Sequence, residues 1–287
     1  MESSSPTPTP PEQEKSFFGI IIHSFFIIPF LIAVFCILLF ASVKLLTHDK
    51  RTIYDLLDDV KIGGITKRWQ SAFELSKILN NSERVPSDEK FFTELRDAFE
   101  QSYHDPDPRV RQYLAIALGQ TGNLQAFEPL TKNIHEEKEP NLYAVIYGLG
   151  LLRDPRAAPI LHPFANHPTA RIRSVVVVAL GDIGEEESKE ILKKALSDSE
   201  PNVQWGSAIS LAQMNDLAGK EVLLKLLDRT YLQQFPEVDA QEQTQLMLVV
   251  IEQTVKFKDP QIEQAIKKLS RTDQNMKIRA KALEVLK

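Results

Sequence analysis

DPDPRVRQYLAIALGQTGN, residues 105–123, sets the register on which the fold is read. Asp107 followed by Pro108 marks a helix start: the carboxylate can accept from unpaired backbone N–H groups, and proline at the first helical position forfeits no hydrogen bond. A basic and apolar helix follows and closes at Leu118-Gly119. The same signal then returns. Leu118-Gly119, Leu149-Gly150, Leu180-Gly181 and Leu211-Ala212 recur every 31 residues. So do Leu130, Leu161, Leu192 and Leu223, and likewise Ile134, Ala165, Leu196 and Leu227.

Three registers with one period across four units describe a repeat of helix A, short turn, helix B and loop, with Pro108, Pro140, Pro168 and Pro201 near the A-helix starts. A helical pair of this length cannot bury its apolar stripe alone, so neighbouring pairs must stack into a solenoid with one running core. The small residue at 119, 150, 181 and 212 either lets adjacent A helices approach closely or lets each A helix end tightly.

The stretches 105–123, LGLLRDPRAAPIL (149–161) and ARIRSVVVVALGDIG (170–184) resemble HEAT repeats, closest to the bacterial short type also called phycobilisome-lyase-like. The likeness is good over 105–230 and weaker at 66–80 and 278–287; the unit at 237–270 lacks Ala-Leu-Gly and follows a longer linker. The resemblance implies a right-handed α-solenoid whose B helices line the inner, concave face. It implies no particular activity, since such arrays serve scaffolds, adaptors and some enzymes.

Upstream, the reading stays helical. Ile53, Leu56, Leu57 and Val60 form an amphipathic stripe ended by Gly63-Gly64. Trp69, Ala72, Phe73 and Leu79 mark a second helix. Ser87 caps a third, with Phe92, Leu95 and Phe99 on one face.

Phe17 to Val43 holds 27 residues without Asp, Glu, Lys or Arg, and nineteen are Leu, Ile, Phe or Val. As a helix it is about 40 Å long, enough to cross a hydrocarbon core of ~30 Å with tilt. Pro29 is expected to kink it. The run is too long for a cleaved signal core, and Glu12 and Glu14 precede it rather than a basic start. Lys15 lies before the run; Lys44, Lys50, Arg51 and Lys61 lie after it, which puts the array on the cytoplasmic side. Met1–Lys15, rich in Ser, Thr and Pro, has no apolar pattern and is read as disordered.

The chemistry of the remainder is sparse. The one cysteine, Cys36, lies within the apolar run, which excludes a disulfide scaffold, a multi-Cys metal site and attachment of a bilin through a thiol outside the span. His162 and His167 are five apart with Pro163 between them, a poor ligand spacing. Net charge is -5 with pI ≈ 5.8, which does not suit a nucleic-acid surface. Gly148-Leu-Gly150 and Gly181-Asp-Ile-Gly184 sit in or at the end of A helices, not after a strand, so they do not form a phosphate loop.

One charge ladder stands out. Glu128, Glu190 and Glu221 occupy equivalent B-helix positions, with Pro159 in the odd unit; Lys132, Lys194 and Lys225 follow four residues later, with Pro163 in the odd unit. The order suits i, i+4 ion pairs. The ladder is either a solvated face or a surface for a protein partner. Arg109, Arg111, Arg171 and Arg173 on the A helices form a second candidate patch or serve the repeat itself. Trp205 and Tyr143 read as packing residues.

The sequence therefore predicts an all-α chain: a tail over 1–16, one transmembrane helix over 17–46, juxtamembrane and capping helices over 47–104, and a HEAT-like solenoid over 105–287. The expected role is a single-pass scaffold at the cytoplasmic (inner) membrane. It binds a protein partner, for instance another membrane complex, and has no cofactor, metal, nucleic acid or small-molecule substrate. An enzyme on the same fold and a scaffold facing the periplasm are the alternatives.

Overall fold

The computed structural model describes residues 23–46 and 51–286; the tail over 1–16, the start of the span at 17–22 and the stretch 47–50 lie outside the described residues. Among the described residues every regular element is helical. The chain divides into two compact units, Met1–Arg51 and Thr52–Lys287.

The described part of the first unit is one apolar helical stretch. A π turn at His23–Ile27 leads into α1, Ile28–Leu46. Pro29 has no N–H for the carbonyl four residues back, and its ring crowds that carbonyl, so the turn before it widens. The expected disturbance at Pro29 thus takes the form of a π turn. From Phe25 to Lys44 the helix is long and apolar enough to cross a membrane, and no part of its most apolar stretch is buried.

The second unit begins with α2 (Ile53–Ile62), α3 (Ile65–Leu79) and α4 (Glu89–Gln101). A capping box starts α2: the Thr52 hydroxyl accepts from the Asp55 N–H, and the Asp55 carboxylate accepts from the Thr52 N–H at 2.8 Å. Leu56, Leu57 and Val60 are buried as expected. In α3 the phase differs from the sequence reading. Ala72, Leu75 and Leu79 are buried, whereas Phe73 is exposed and Trp69 half-buried. The cap of α4 is Asp88, not Ser87; its carboxylate accepts from the Phe91 N–H at 2.9 Å, and Ser87 stands one residue outside that reach.

The repeats follow. A helices are α5 (Pro108–Gln120), α7 (Asn141–Leu152), α9 (Ala170–Ile183) and α11 (Pro201–Gln213). They alternate with short B helices: α6 (Phe127–Thr131), α8 (Ala157–Leu161), α10 (Lys189–Ala195) and α12 (Lys220–Leu226). Asp107 caps α5 by accepting from the Arg109 N–H at 3.0 Å. After α13 (Arg229–Leu232) come α14 (Ala240–Thr254), α15 (Pro260–Thr272) and α16 (Met276–Val285). The KIRAKALEVLK segment forms α16, with Ile278 and Ala282 buried against its neighbours.

Each A helix packs chiefly on the A helices before and after it, and small residues decide how closely. A Cβ on Gly150 would stand 2.8 Å from the Ala179 Cα, and one on Gly119 would meet the Gly148 backbone. Close approach, rather than a tight helix end, is what these glycines provide. Their counterparts form a second small register, Ala117, Gly148, Ala179 and Ser210, also spaced by 31 residues. Leu130, Leu161, Leu192 and Leu223 are all buried, one from each B helix. The apolar core runs unbroken from Leu56 in α2 to Met214, and a second cluster continues it from Trp205 to Ala282.

Candidate functional site

The charged residues sort into two populations. One set holds the repeats together. Arg173 in α9 donates from Nε and Nη2 to the Asp198 carboxylate, both at 2.7 Å, and from Nη1 to the His167 carbonyl at 2.9 Å. The Arg173 guanidinium keeps the Asp198 carboxyl below its usual range, chiefly by these hydrogen bonds. Arg111 occupies the equivalent place in α5. It is buried, reaches Glu137 at 2.6 Å, donates to the Phe99 carbonyl at 2.9 Å and lies over the Phe99 ring. Arg173 ties the loop before its own helix, and Arg111 the last turn of α4, to the loop after the following B helix.

The other A-helix arginines lie on rings. The Arg109 guanidinium is 4.0 Å above Trp69, and that of Arg171 is 4.5 Å above Tyr143. Trp205 is a packing residue: its indole N–H donates to the Tyr231 hydroxyl at 3.2 Å, and its ring meets Phe235 edge-on. His162 and His167 serve separate neighbours, Ser188 at 3.1 Å and the Thr169 N–H at 3.2 Å. Burial pushes the His162 imidazole below its ordinary value. Among the described residues no group of three or more His, Cys, Asp or Glu gathers as a metal site.

The second population is the ladder. Glu128 on α6 and Lys132 at its C-terminal cap, Glu190 and Lys194 on α10, and Glu221 and Lys225 on α12 are all exposed. The expected i, i+4 pairs do not form. Lys193 instead takes Glu190 at 3.1 Å and reaches Asp216 of the next repeat at 3.2 Å, so α10 is tied to its neighbour by a lysine that the ladder passed over. The i, i+3 spacing of Glu190 and Lys193 was the available signal. Lys132, Lys194 and Lys225 have no ion-pair partner among the described residues.

The first rung enters a concavity. A groove of about 580 Å³ is walled by Arg96 and Glu100 of α4, Phe127, Glu128 and Lys132 at α6, and Arg156 before α8. Arg156 lies 4.2 Å over the Phe127 ring and forks onto Asp154, so it is held in place. The groove is open and mixed in charge, with no nucleophile beside a base. It can accept a side chain or loop of mixed polarity. The structure brings Glu128 and Lys132 together with Arg96 and Arg156; the Glu190 and Glu221 rungs stay on their own helices.

HEAT repeats, as a family model, match this chain over residues 95–177 and 161–233. Residues 95–233 are HEAT repeats. Its array is similar to the complex of CpcE and CpcF of the phycocyanin lyase from Nostoc sp. PCC7120, at TM-score 0.58 and 18% identity, over 83% of this chain and 96% of that one. It is also similar to the archaeal HEAT-like repeats protein from Thermococcus onnurineus NA1, at TM-score 0.44, 15% identity, and 83% and 97% coverage. Human deoxyhypusine hydroxylase in complex with glycerol aligns at TM-score 0.34 and 14% identity, over 82% and 94%. No curated protein matches the chain in sequence. At these identities the likeness concerns the fold of the helical array alone.

Proposed function

We propose that this HEAT-repeat protein is a non-catalytic scaffold, anchored in the cytoplasmic membrane by α1, that binds a protein partner through its B-helix face. The observation that carries this reading is the division of charge. Arg111, Arg173, Lys193, Lys220 and Arg229 are engaged in bridges within the array. Lys132, Lys194 and Lys225 stand exposed at one repeated position without such a bridge. A regular ladder of uncommitted charge suits steering and register in protein association. The anchor raises the effective concentration of that surface near other membrane proteins, so the favoured partner is another membrane complex. The basic flank after the span favours the array in the cytoplasm, and protease accessibility in intact spheroplasts tests that side.

The test is capture from detergent-solubilised membranes by the full-length chain, followed by affinity measurement on the purified pair. Reversing Lys132, Lys194 and Lys225 to Glu leaves the melting of the array within about 0.5 kcal/mol. It lowers affinity by about a hundredfold, at ~1 kcal/mol for each of the three misplaced charges. Unchanged affinity excludes this face.

A further inference from the structure

The corner between α2 and α3 carries apolar side chains that nothing in the array covers. Ile62 and Ile65 flank Gly63-Gly64 and are 86% and 58% exposed; Ile62 is the most exposed large apolar side chain among the described residues. A Cβ on Gly64 would meet nothing within 4 Å. From Ile65 the strip continues at four-residue steps through Trp69 to Phe73, which is 45% exposed. The Phe73 ring meets Tyr113 edge-on at 5.1 Å, and Arg109 covers Trp69. Isoleucine, Trp, Phe and Tyr with an arginine at the rim is a composition suited to the lipid–water boundary.

The covalent chain says what covers this strip. Five residues separate Leu46, where α1 ends, from Thr52, the cap of α2. Fully extended, that link reaches about 20 Å, and α2 adds about 15 Å. Once α1 is in a bilayer, the corner cannot leave its neighbourhood. A contact through a few apolar side chains, too weak to hold a free protein on lipid, is then populated because it is intramolecular in effect. The cations at the corner are already matched: Lys61 by Glu94, Lys67 by Asp59 and Arg68 by Asp105. The contact is therefore apolar and does not require anionic lipid.

We propose that the α2–α3 corner, through Ile62, Ile65 and Phe73, docks on the bilayer surface at the foot of the anchor and holds the first repeat against the membrane. This rests on the anchor reading above.

The test uses the full chain with Cys36→Ser, carrying one cysteine at a time for an environment-sensitive fluorophore: Ile62→Cys, Phe73→Cys, or the remote reference Lys277→Cys. All three positions are exposed, so the label does not disturb the core. The protein is reconstituted in neutral phosphatidylcholine vesicles whose acyl chains are brominated. The expected result is flotation with the vesicles, emission quenched at I62C and F73C but kept at K277C, and no change with added salt. Flotation with equal emission at all three positions overturns the docking and leaves the anchor standing. Failure to float overturns both.

Discussion

Arg173 grips Asp198 with two parallel N–H···O bonds of 2.7 Å across 25 residues of chain. The pair closes a repeat, since one partner stands in the A helix and the other in the loop leading to the next A helix. Both side chains are largely shielded from solvent. Arg173→Ala leaves a carboxylate without its partner and the His167 carbonyl without a donor, and is expected to cost about 2 kcal/mol. Urea melts of the single and double variants, read as a cycle with Asp198→Ala, measure the coupling.

The same pair has a pH signature. The Asp198 carboxyl titrates below its ordinary value of 3.8 because Arg173 donates to its charged form. A lowered folded value contributes stability that is complete above the ordinary value and is lost as the pH falls through the folded one. Asp154 and Asp107, held down by Arg156 and Arg109, act in the same direction. Melting temperature is expected to be flat near neutrality and to fall on acidification below about pH 4. In Arg173→Ala that acid slope is shallower; an identical slope contradicts the assignment.

Gly150 and Ala179 test the stacking itself. Gly150→Ala places a methyl group against the Ala179 backbone, which neither rigid helix can yield easily, and should cost about 1–3 kcal/mol. Adding Ala179→Gly removes the facing methyl and is expected to recover part of that loss, despite the poorer helix propensity of glycine. Denaturant midpoints of the three variants decide the matter.

Ser207 occupies a core register otherwise filled by Leu114, Val145 and Val176, and its hydroxyl is buried without a hydrogen-bond partner. Ser207→Ala should therefore stabilise the array by about 1 kcal/mol. A loss of stability would mean that the hydroxyl is satisfied in solution.

What could be read from the chain follows from what stacking repeats. The 31-residue period in Leu130, Leu161, Leu192 and Leu223 was legible because each repeat meets an equivalent neighbour, so equivalent positions face equivalent packing. The choice of Asp88 over Ser87 was not, because both are good caps and only backbone geometry selects one. Phe73 and Leu75 exchanged roles because a helical stripe read from four residues leaves its phase open by one position. The second small register, with Ala179 opposite Gly150, becomes visible only once two A helices are placed side by side. The ladder positions of Glu128 and Lys132 were legible, but their groove neighbours Arg96 and Arg156 come from segments about thirty residues away on either side. Lys193 displaced Lys194 because Asp216, from the next repeat, rewards the i, i+3 pairing.

The central claim is that a folded HEAT array is held at a membrane by one helix. Alkaline carbonate extraction of membranes from cells expressing the full chain, beside residues 52–287 alone, tests it most directly. The account predicts that the full chain stays in the pellet, while 52–287 enters the supernatant as a helical, cooperatively melting protein. Release of the full chain into the supernatant would contradict it.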